Sequence, residues 1–345
     1  MSSVHGFSST AAVALITGAG SGIGRAAAIQ FADAGCNIVA ADINKVAAEE
    51  TCSLIKDVEC LAVCCDITQP DQVAAMVAAT KDKFGRLDYA FNNAGISGTA
   101  APVHAMPLEE FDRVLSVNLR GHFIAMQAQI PLMLATSPSP AIVLTSSICG
   151  HQAHAGMAGY CASKFGVRGL VKAAAVEYGP RGLRVNSVSP GAIATPLLLD
   201  FLASGGGDTV KQLTEEGATL DDPAGCSAAT AAPTQAGPQG GAATGPSGSG
   251  SGKSSSSSLD VGSLNLADAP ASAEASAALS STSTAAAADE SSKEEGKLKV
   301  PLRRVGHPEE IASCVVWLCM HGHYVTGTDV LVDGGSTCRV MTSSD

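Results

Sequence analysis

The chain has 345 residues, of which 46% are hydrophobic and 15% are charged, and its formal net charge is −11. This much apolar material is enough for a sizeable core. The negative charge argues against a surface for nucleic acid or anionic membranes, because phosphate groups would repel it. No apolar run approaches the roughly 20 residues that a membrane-spanning helix needs, and Met1–Ala12 lacks the pattern of a secretory signal. We therefore expect a cytoplasmic protein that handles a small molecule.

The 11 cysteines are an odd number without regular spacing, which fits a reduced cytosolic pool better than a disulfide framework. Cys60, Cys64 and Cys65 could suggest a metal site. They fall on an apolar, strand-like stretch, however, and buried small hydrophobic side chains are the favoured interpretation. No metal is expected.

In chain order, short apolar or β-branched runs alternate with longer alanine-rich stretches from residue 11 to about residue 202. The short runs predict strands at Val13–Thr17, Asn37–Ala41, Leu61–Cys65, Asp88–Phe91, Ala141–Ser146 and Arg184–Val188. The longer stretches predict helices at Ile23–Ala34, Asp71–Phe84, Leu108–Ala135 and Cys161–Tyr178. This βαβα alternation is typical of an α/β protein with a parallel sheet that helices cover on both faces.

The alternation then stops. Between Phe201 and Trp317 there is no aromatic residue, and much of the interval is Gly, Ser, Ala, Pro and Thr. Such a segment cannot bury enough apolar area to offset the ~1–2 kcal/mol of backbone entropy lost for each ordered residue. The composition predicts a disordered low-complexity insertion over residues 218–296.

Order is expected to return at Leu298. A helix is predicted from Pro308 to about Met320, because proline stands at its first position and acidic residues follow in the first turn. A last strand is predicted at Asp329–Val332. The predicted organisation is thus a flexible N-terminus at residues 1–10 and a single domain of residues 11–217 plus 297–345, interrupted by the insertion.

A glycine-rich stretch, Thr17–Gly24, follows the first predicted strand and leads into a helix. Glycines let the backbone turn tightly and approach a pyrophosphate, which then sits on the helix N-terminus. Asp42 closes the second predicted strand, where a carboxylate accepts hydrogen bonds from ribose hydroxyls and repels a 2′-phosphate. Arg25 and Lys45 are nearby but displaced from the positions at which a 2′-phosphate would be bound. The pattern favours NAD over NADP.

Two further strand ends carry polar or small residues. Asp66 could cap the adenine amino group, or it could form a turn or helix cap within Asp66–Thr68, and the two roles can coexist. Asn92–Gly95 supplies small residues that let the chain pass close to a bound nucleotide.

Tyr160 and Lys164 are spaced i, i+4 at the start of a helical run, so both project from one face. A tyrosine with an ordinary pKa near ~10 needs a nearby cation to act as a general acid/base at neutral pH. The spacing alone is common, and a surface lysine on an amphipathic helix is the alternative. Ser147 ends the fifth strand and could hold a substrate oxygen, while Asn118 lies in a helical stretch where an amide usually faces solvent or marks a kink.

Together these residues resemble the short-chain dehydrogenase/reductase family in its typical-length, NAD-dependent form. The resemblance covers residues 11–217 and 297–338. It rests on Thr17–Gly24, Asp66, Asn92–Gly95, Asn118, Ser147, Tyr160 with Lys164, Pro190-Gly191 through Thr195, Pro308–Glu310 and Asp333–Gly335. It implies a Rossmann-type doubly wound sheet of seven parallel strands in the order 3-2-1-4-5-6-7 in a single domain. It also implies a homotetramer.

The resemblance further implies the roles of four catalytic residues. Tyr160 would be the acid/base, and Ser147 would polarise the carbonyl. Lys164 would bind the nicotinamide ribose and lower the pKa of Tyr160. Asn118 would hold a water that relays protons from Lys164.

The same resemblance implies the cofactor-binding set. Ile193 and Thr195 would grip the carboxamide of the nicotinamide, and Asn93 and Ala94 would lie against the adenosine ribose. The full set is Gly18, Ser21, Gly22, Ile23, Gly24, Asp42, Asp66, Ile67, Asn93, Ala94, Gly95, Tyr160, Lys164, Pro190, Gly191, Ile193 and Thr195.

The substrate is expected to be an uncharged secondary or cyclic alcohol, or a hydrophobic ketone, because Ile148 and Leu197–Leu199 suggest apolar pocket walls. His151, His154 and Met157 are expected to border this pocket, and the family lid is expected at Thr195–Leu202 and Val210–Leu213, with the insertion behind it. One alternative is an NADP-dependent 3-oxoacyl reductase, against which Asp42 argues. The other is a non-catalytic NAD(H)-binding interaction protein, against which the presence of Ser147, Tyr160 and Lys164 argues.

Cys149 and Cys161 flank the predicted catalytic serine and tyrosine. Oxidation of either thiol could block the site. Two inert small side chains are the favoured interpretation.

Overall fold

The computed structural model describes residues 11–203 and 300–338. Within these ranges, seven strands form one parallel sheet in the order β3-β2-β1-β4-β5-β6-β7. They are β1 (Val13–Thr17), β2 (Asn37–Asp42), β3 (Cys60–Cys64), β4 (Tyr89–Asn92), β5 (Ala141–Thr145), β6 (Arg184–Pro190) and β7 (Asp329–Val332). The number, order and direction of the strands confirm the doubly wound α/β architecture.

The same ranges contain eight α-helices. They are α1 (Gly22–Asp33), α2 (Lys45–Leu54), α3 (Pro70–Phe84), α4 (Leu108–Leu115), α5 (His122–Thr136), α6 (Ala158–Tyr178), α7 (Pro196–Ala203) and α8 (Pro308–Met320). The flexible N-terminus predicted at 1–10, the lid helix predicted at 210–213 and the insertion predicted at 218–296 lie outside the described residues.

The sheet separates two apolar clusters because alternate residues of each strand point to opposite faces. On one face, Leu15, Val39 and Ile142 pack against α3, α5 and α6. On the other face, Ile16, Ile38 and Val143 pack against α1 and α8. Burial on both faces explains why the strands read as continuous apolar runs rather than alternating ones.

Helix α2 was not predicted. Only Ala48 and Thr51 are buried in Lys45–Leu54, so the segment carries little apolar periodicity. The start of the helix is set by an N-cap instead, because the Asn44 side chain accepts the Ala47 N–H at 3.3 Å.

The long helix predicted at Leu108–Ala135 is interrupted. Helix α4 ends at Leu115, a π-helical turn occupies Ser116–Gly121, and α5 then begins at His122. A π-helical turn widens the helix and bends its path. The interruption places Asn118 in the π-helical turn, where its amide is buried and does not face solvent.

The expectation of reduced cysteines is wrong for one pair. Cys52, at the end of α2, and Cys60, at the start of β3, form a disulfide with their Cα atoms 5.4 Å apart. The disulfide was not predicted because α2, which brings Cys52 back to the edge of the sheet, was missed. Cys65 is buried as expected, whereas Cys64 is exposed.

None of the helices within residues 11–203 and 300–338 is long and apolar enough to cross a membrane. In the same residues, no group of three or more His, Cys, Asp or Glu side chains could hold a metal ion.

Candidate active site

The turn between β1 and α1 can be built only with glycine at several positions. Gly18 and Gly22 have φ angles of +67° and +49°, which side chains other than glycine rarely adopt. At Gly24 a Cβ would lie 1.9 Å from the Gly18 carbonyl oxygen. The first turn of α1 carries no acidic residue. The N-terminus of α1 is therefore open to an anion, which the backbone N–H groups and the helix dipole would attract.

Asp42 closes β2 beside this turn. Its carboxylate accepts the Gly20 N–H at 2.8 Å and the Asn44 N–H at 2.9 Å. The two basic residues near it are both paired with acids, since Arg25 contacts Glu50 at 3.2 Å and Lys45 contacts Glu49 at 3.5 Å. Each of these two basic side chains near Asp42 is thus already paired with a carboxylate.

A cavity of about 640 Å³ runs along the carboxyl ends of the central strands. Thirteen of the predicted residues line it: Gly18, Ser21, Gly22, Ile23, Asp42, Asp66, Ile67, Asn93, Ala94, Gly95, Tyr160, Lys164 and Thr195. Six predicted residues are not in its lining: Gly24, Asn118, Ser147, Pro190, Gly191 and Ile193. Leu197, which was expected at the substrate pocket, also lines it. Lining residues that the sequence did not single out for a cofactor or substrate site are Ile43, Cys65, Thr68, Ile96, Arg113, Ser116, Val117, Thr145 and Pro196. Several of these directly neighbour predicted residues at strand ends, and that position is the signal that could have found them.

Asp66 shows the turn role while also bordering the cavity. Its Oδ1 accepts the Thr68 N–H at 2.9 Å and the Thr68 hydroxyl at 2.8 Å. Asn93 is fixed between strands, because it donates to the Thr17 carbonyl at 3.3 Å and accepts the Thr145 hydroxyl at 3.0 Å. Both residues are therefore oriented before any ligand binds.

Tyr160 and Lys164 lie on the first turns of α6 and face the cavity. Lys164 is only 2% exposed, which rules out the alternative of a surface lysine. Its Nζ donates to the Thr145 carbonyl at 2.8 Å and lies 5.4 Å from the centre of the Tyr160 ring. Ser147 follows β5, and its Oγ accepts the Cys149 N–H at 3.1 Å.

Burial changes the proton affinity of both α6 residues. Desolvation raises the pKa of Tyr160, and a hydrogen bond with Ser147 acts in the opposite direction. Desolvation also lowers the pKa of Lys164 to about 8. The largest influence on Tyr160 is thus removal of the phenolate from water rather than the predicted attraction to Lys164.

Asn118 is completely buried in the π-helical turn. Its side chain exchanges two hydrogen bonds with the backbone of Ile96, each 2.8 Å long, and donates to Ser163 Oγ at 3.3 Å. A Cβ on Gly95 would lie 3.2 Å from Asn118 Oδ1 and 3.7 Å from Lys164 Nζ. Glycine at position 95 therefore leaves room for the Asn118 amide and the Lys164 ammonium beside the backbone.

The segment after β6 is held from two sides. Gly191 N–H donates to the Val332 carbonyl at 3.1 Å, and Ala194 N–H donates to the Gly306 carbonyl at 2.9 Å. Ile193 is 6% exposed and packs into the core, so its side chain does not face the cavity. Thr195 does line the cavity.

The residues expected at the substrate pocket are only partly brought to it. Met157 forms a bridge with Ala101, which joins the loop after β5 to the loop after β4. None of His151, His154 and Met157 is in the lining of the cavity, whereas Leu197 is. Burial lowers the pKa of His154, and His151 turns towards Asp329 instead.

The order of the strands and the glycine turn are typical of a nucleotide-binding α/β fold, and the comparison with known families shows the class to be an oxidoreductase. Residues 12–203 match the family model described as short chain dehydrogenase. Residues 275–337 match a model described as enoyl-(acyl carrier protein) reductase. The chain therefore belongs to the short-chain dehydrogenase/reductase family, whose members bind a nicotinamide cofactor.

Named relatives fall in the same family. Levodione reductase from Leifsonia aquatica is 40% identical over 190 residues, which cover 54% of this chain and 71% of the relative. Cyclohexanol dehydrogenase from Acinetobacter sp. (strain SE19) is 42% identical over 191 residues, which cover 55% of this chain and 76% of the relative. A crystal structure of levodione reductase superimposes with a TM-score of 0.68 at 28% identity, covering 95% of this chain and 98% of that chain.

Proposed function

We propose that this protein is an NAD(H)-dependent dehydrogenase that interconverts an uncharged secondary or cyclic alcohol and its ketone, with Tyr160 as the general acid/base. The observation that carries the proposal is that the glycine turn, Asp42 and the Tyr160–Lys164 pair line one cavity. This chemistry requires three elements: a carboxylate that binds the adenosine ribose, a turn that binds the pyrophosphate and a pair of residues that transfers a proton.

The cavity suits a dinucleotide. A Cβ at Gly20 or Gly24 would collide with neighbouring protein atoms at 2.7 and 1.9 Å, so the turn can keep its shape only with glycine at both positions. The bare backbone that results is what a pyrophosphate needs in order to approach the start of α1. When bound, NAD(H) accepts or supplies the hydride. The residues proposed to hold it are Gly18, Ser21, Gly22, Ile23, Gly24, Asp42, Asp66, Ile67, Asn93, Ala94, Gly95, Tyr160, Lys164, Pro190, Gly191, Ile193 and Thr195.

NAD is favoured over NADP by the charges around Asp42. A carboxylate at this position accepts hydrogen bonds from the ribose hydroxyls and repels a 2′-phosphate. Arg25 and Lys45 would have to break their pairs with Glu50 and Glu49 before either could bind that phosphate.

The proposed chemistry moves one proton at the Tyr160 oxygen, which protonates the carbonyl oxygen in reduction and takes the alcohol proton in oxidation. The Cys149 N–H occupies a lone pair of Ser147 Oγ, which leaves the serine hydroxyl proton to be donated to Tyr160 or to a substrate oxygen. With a pKa of about 8, Lys164 is charged at neutral pH and stabilises the phenolate as it forms. Asn118, which like Lys164 lies close to Gly95, is proposed to hold the water that returns protons to the lysine.

The substrate class follows from the relatives and the cavity wall. Levodione reductase and cyclohexanol dehydrogenase are named for ring ketones and alcohols, and Leu197 adds an apolar wall here. A 3-oxoacyl reductase is the second candidate, since a Thermotoga maritima protein of that name is 41% identical over 190 residues. A 3-ketoacyl reductase structure from Brucella melitensis is described as complexed with NADH, so cofactor preference does not separate these two classes.

Initial rates with NAD⁺ and NADP⁺ on cyclic and aliphatic secondary alcohols, together with reduction of a 3-oxoacyl thioester, test the proposal. We expect turnover of alcohols with NAD⁺ and its loss in Tyr160→Phe. Turnover of the thioester alone would favour the second candidate. NADH binding without any turnover would favour the non-catalytic interaction protein.

We further propose a cytoplasmic homotetramer. Apolar side chains remain exposed on three helices, since Phe123, Phe165 and Trp317 are 50%, 47% and 49% exposed. Such surface is typical of subunit contacts. Light scattering coupled to size-exclusion chromatography measures the subunit number directly, and a monomer would contradict the proposal.

A further inference from the structure

A buried carboxylate lies behind the turn that carries Ser147. Asp329, the first residue of β7, has a side chain that is 9% exposed and forms a hydrogen bond with His151 Nε2. The same carboxylate accepts the hydroxyls of Ser187 at 2.5 Å and Ser189 at 2.8 Å. Arg168 Nε on α6 lies 3.4 Å away. Four side chains from three other parts of the fold thus converge on one group.

The turn itself connects this cluster to Ser147. A 3-10 turn, Ile148–Gly150, begins at Ser147 and ends at His151. Inside it, Gly150 N–H donates to the Ser147 carbonyl at 2.8 Å, and Cys149 N–H donates to Ser147 Oγ at 3.1 Å. The orientation of Ser147 is therefore set within a turn whose far end is His151.

Two side-chain hydrogen bonds hold the end of the 3-10 turn that lies away from Ser147. Arg168 Nη1 donates to the Gly150 carbonyl, and His151 contacts Asp329. A single 3-10 turn has weak hydrogen-bond geometry of its own, so its shape depends on what fixes its ends. Hydrogen bonds to a charged group are the strongest available for this purpose.

The same carboxylate is also tied to the end of β6, through its hydrogen bond with Ser189. Ser189 directly precedes Pro190, where β6 ends and the segment leading to Thr195 departs. Asp329 therefore joins the Ser147 turn, through His151, to the strand from which the 191–195 segment leaves. Neither His151 nor Asp329 lines the cavity, so both act on the reaction only through other residues.

We propose that His151 and Asp329 are positioning residues, which fix the 3-10 turn so that the Ser147 hydroxyl points at the substrate oxygen. This inference rests on the proposed function, because Ser147 matters only if an alcohol or ketone is bound beside it. The proposal thus assigns a role in orienting the substrate to His151 and Asp329, two residues that lie outside the cavity.

Two substitutions that each replace His151 by a side-chain amide test the proposal. The Nε2 of His151→Gln can take the place of the histidine Nε2 and donate to Asp329, whereas the side chain of His151→Asn is one methylene too short. We expect His151→Asn to lower kcat about tenfold or more, since small misplacements of an orienting group are costly, with the KM for NAD⁺ unchanged. His151→Gln should restore most of the rate. His323→Asn, at an exposed histidine away from the cluster, is the control and should match the parent.

Amide hydrogen exchange provides the second readout. Peptides that cover residues 147–152 should exchange about tenfold faster in His151→Asn than in His151→Gln, while those that cover the glycine turn should not change. Equal exchange in both variants, or faster exchange without loss of kcat, would overturn the proposal. Absence of turnover in the parent would contradict the proposed function instead, and the exchange comparison would still decide whether His151 holds the turn.

Discussion

Lys164 Nζ lies 5.4 Å from the centre of the Tyr160 ring while donating to the carbonyl of Thr145, the last residue of β5. The ammonium is thus fixed by the sheet rather than by the tyrosine. Its position does not depend on the protonation state of Tyr160. The pair is assembled before a substrate arrives. The contribution of each residue to activity and stability can therefore be measured by replacing it alone.

Removal of the Tyr160 hydroxyl should stop proton transfer without emptying the cofactor site. We expect Tyr160→Phe to lower kcat by about 10²–10⁴-fold, the range that general acid/base catalysis contributes. The affinity for NADH, measured by fluorescence titration, should change little because the ring remains. A variant that keeps more than a tenth of the parent rate would contradict the assignment.

Replacement of Lys164 should stabilise the fold while abolishing activity. Its pKa is lowered from 10.5 to about 8 by burial, so the folded chain binds fewer protons here than the unfolded chain between those values. The cost of burying the charge is fully present below pH 8 and disappears as the pH rises towards 10.5. Lys164→Met should therefore increase the free energy of unfolding at pH 7 by about 1–3 kcal/mol.

Urea denaturation at pH 7 and at pH 10 measures this difference. The gain from Lys164→Met should shrink at pH 10, where the parent lysine is already neutral in the folded state. A gain of the same size at both pH values would mean that packing, and not charge, is responsible.

Asp42 should control cofactor choice. Hydrogen bonds to a charged group contribute about 1.5–3 kcal/mol, so Asp42→Ala should lower kcat/KM for NAD⁺ by about 10–100-fold. The value for NADP⁺ should fall less, because the repulsion of the 2′-phosphate is lost as well. Asp42→Asn separates the two effects, since it keeps an acceptor for Gly20 N–H and removes the charge. An unchanged NADP⁺/NAD⁺ ratio in both variants would argue against the role of Asp42.

Gly24→Ala should disrupt the turn. The new methyl group would lie 1.9 Å from the Gly18 carbonyl oxygen, so the backbone must move. We expect a loss of about 1–3 kcal/mol in stability, together with weaker NADH binding. Gly179→Ala is the matched control, because a Cβ there meets nothing within 4 Å. Equal melting temperatures of the two variants would contradict this expectation.

Cys149 should be chemically quiet despite its place beside Ser147. Burial raises the pKa of its thiol to about 11, so the reactive thiolate is scarce at pH 7. Iodoacetamide should label the exposed Cys64 and Cys338 before Cys149, as read by mass spectrometry of peptides. Activity should survive mild peroxide. Rapid inactivation that Cys149→Ala prevents would favour the redox-sensitive alternative.

The sheet was predictable from the sequence because strands buried on both faces leave continuous apolar runs. The glycine turn and the Tyr160–Lys164 spacing were predictable because each depends on a few neighbouring residues. Contacts between distant segments were not. The Cys52–Cys60 disulfide depends on the unrecognised α2, and His151 meets Asp329 across 178 positions of sequence. Local periodicity carries no information about such pairs.

The pairing of β6 with β7 also affects how the protein is made. Ser187 of β6 meets its partner Asp329 only after 142 further positions have been synthesised. At about 5–20 residues per second, that interval is on the order of ten seconds on the ribosome. During this time β6 is a bare edge strand, which is a template for aggregation. The yield of soluble protein in a cell should therefore depend on translation speed and on chaperones that shield this edge.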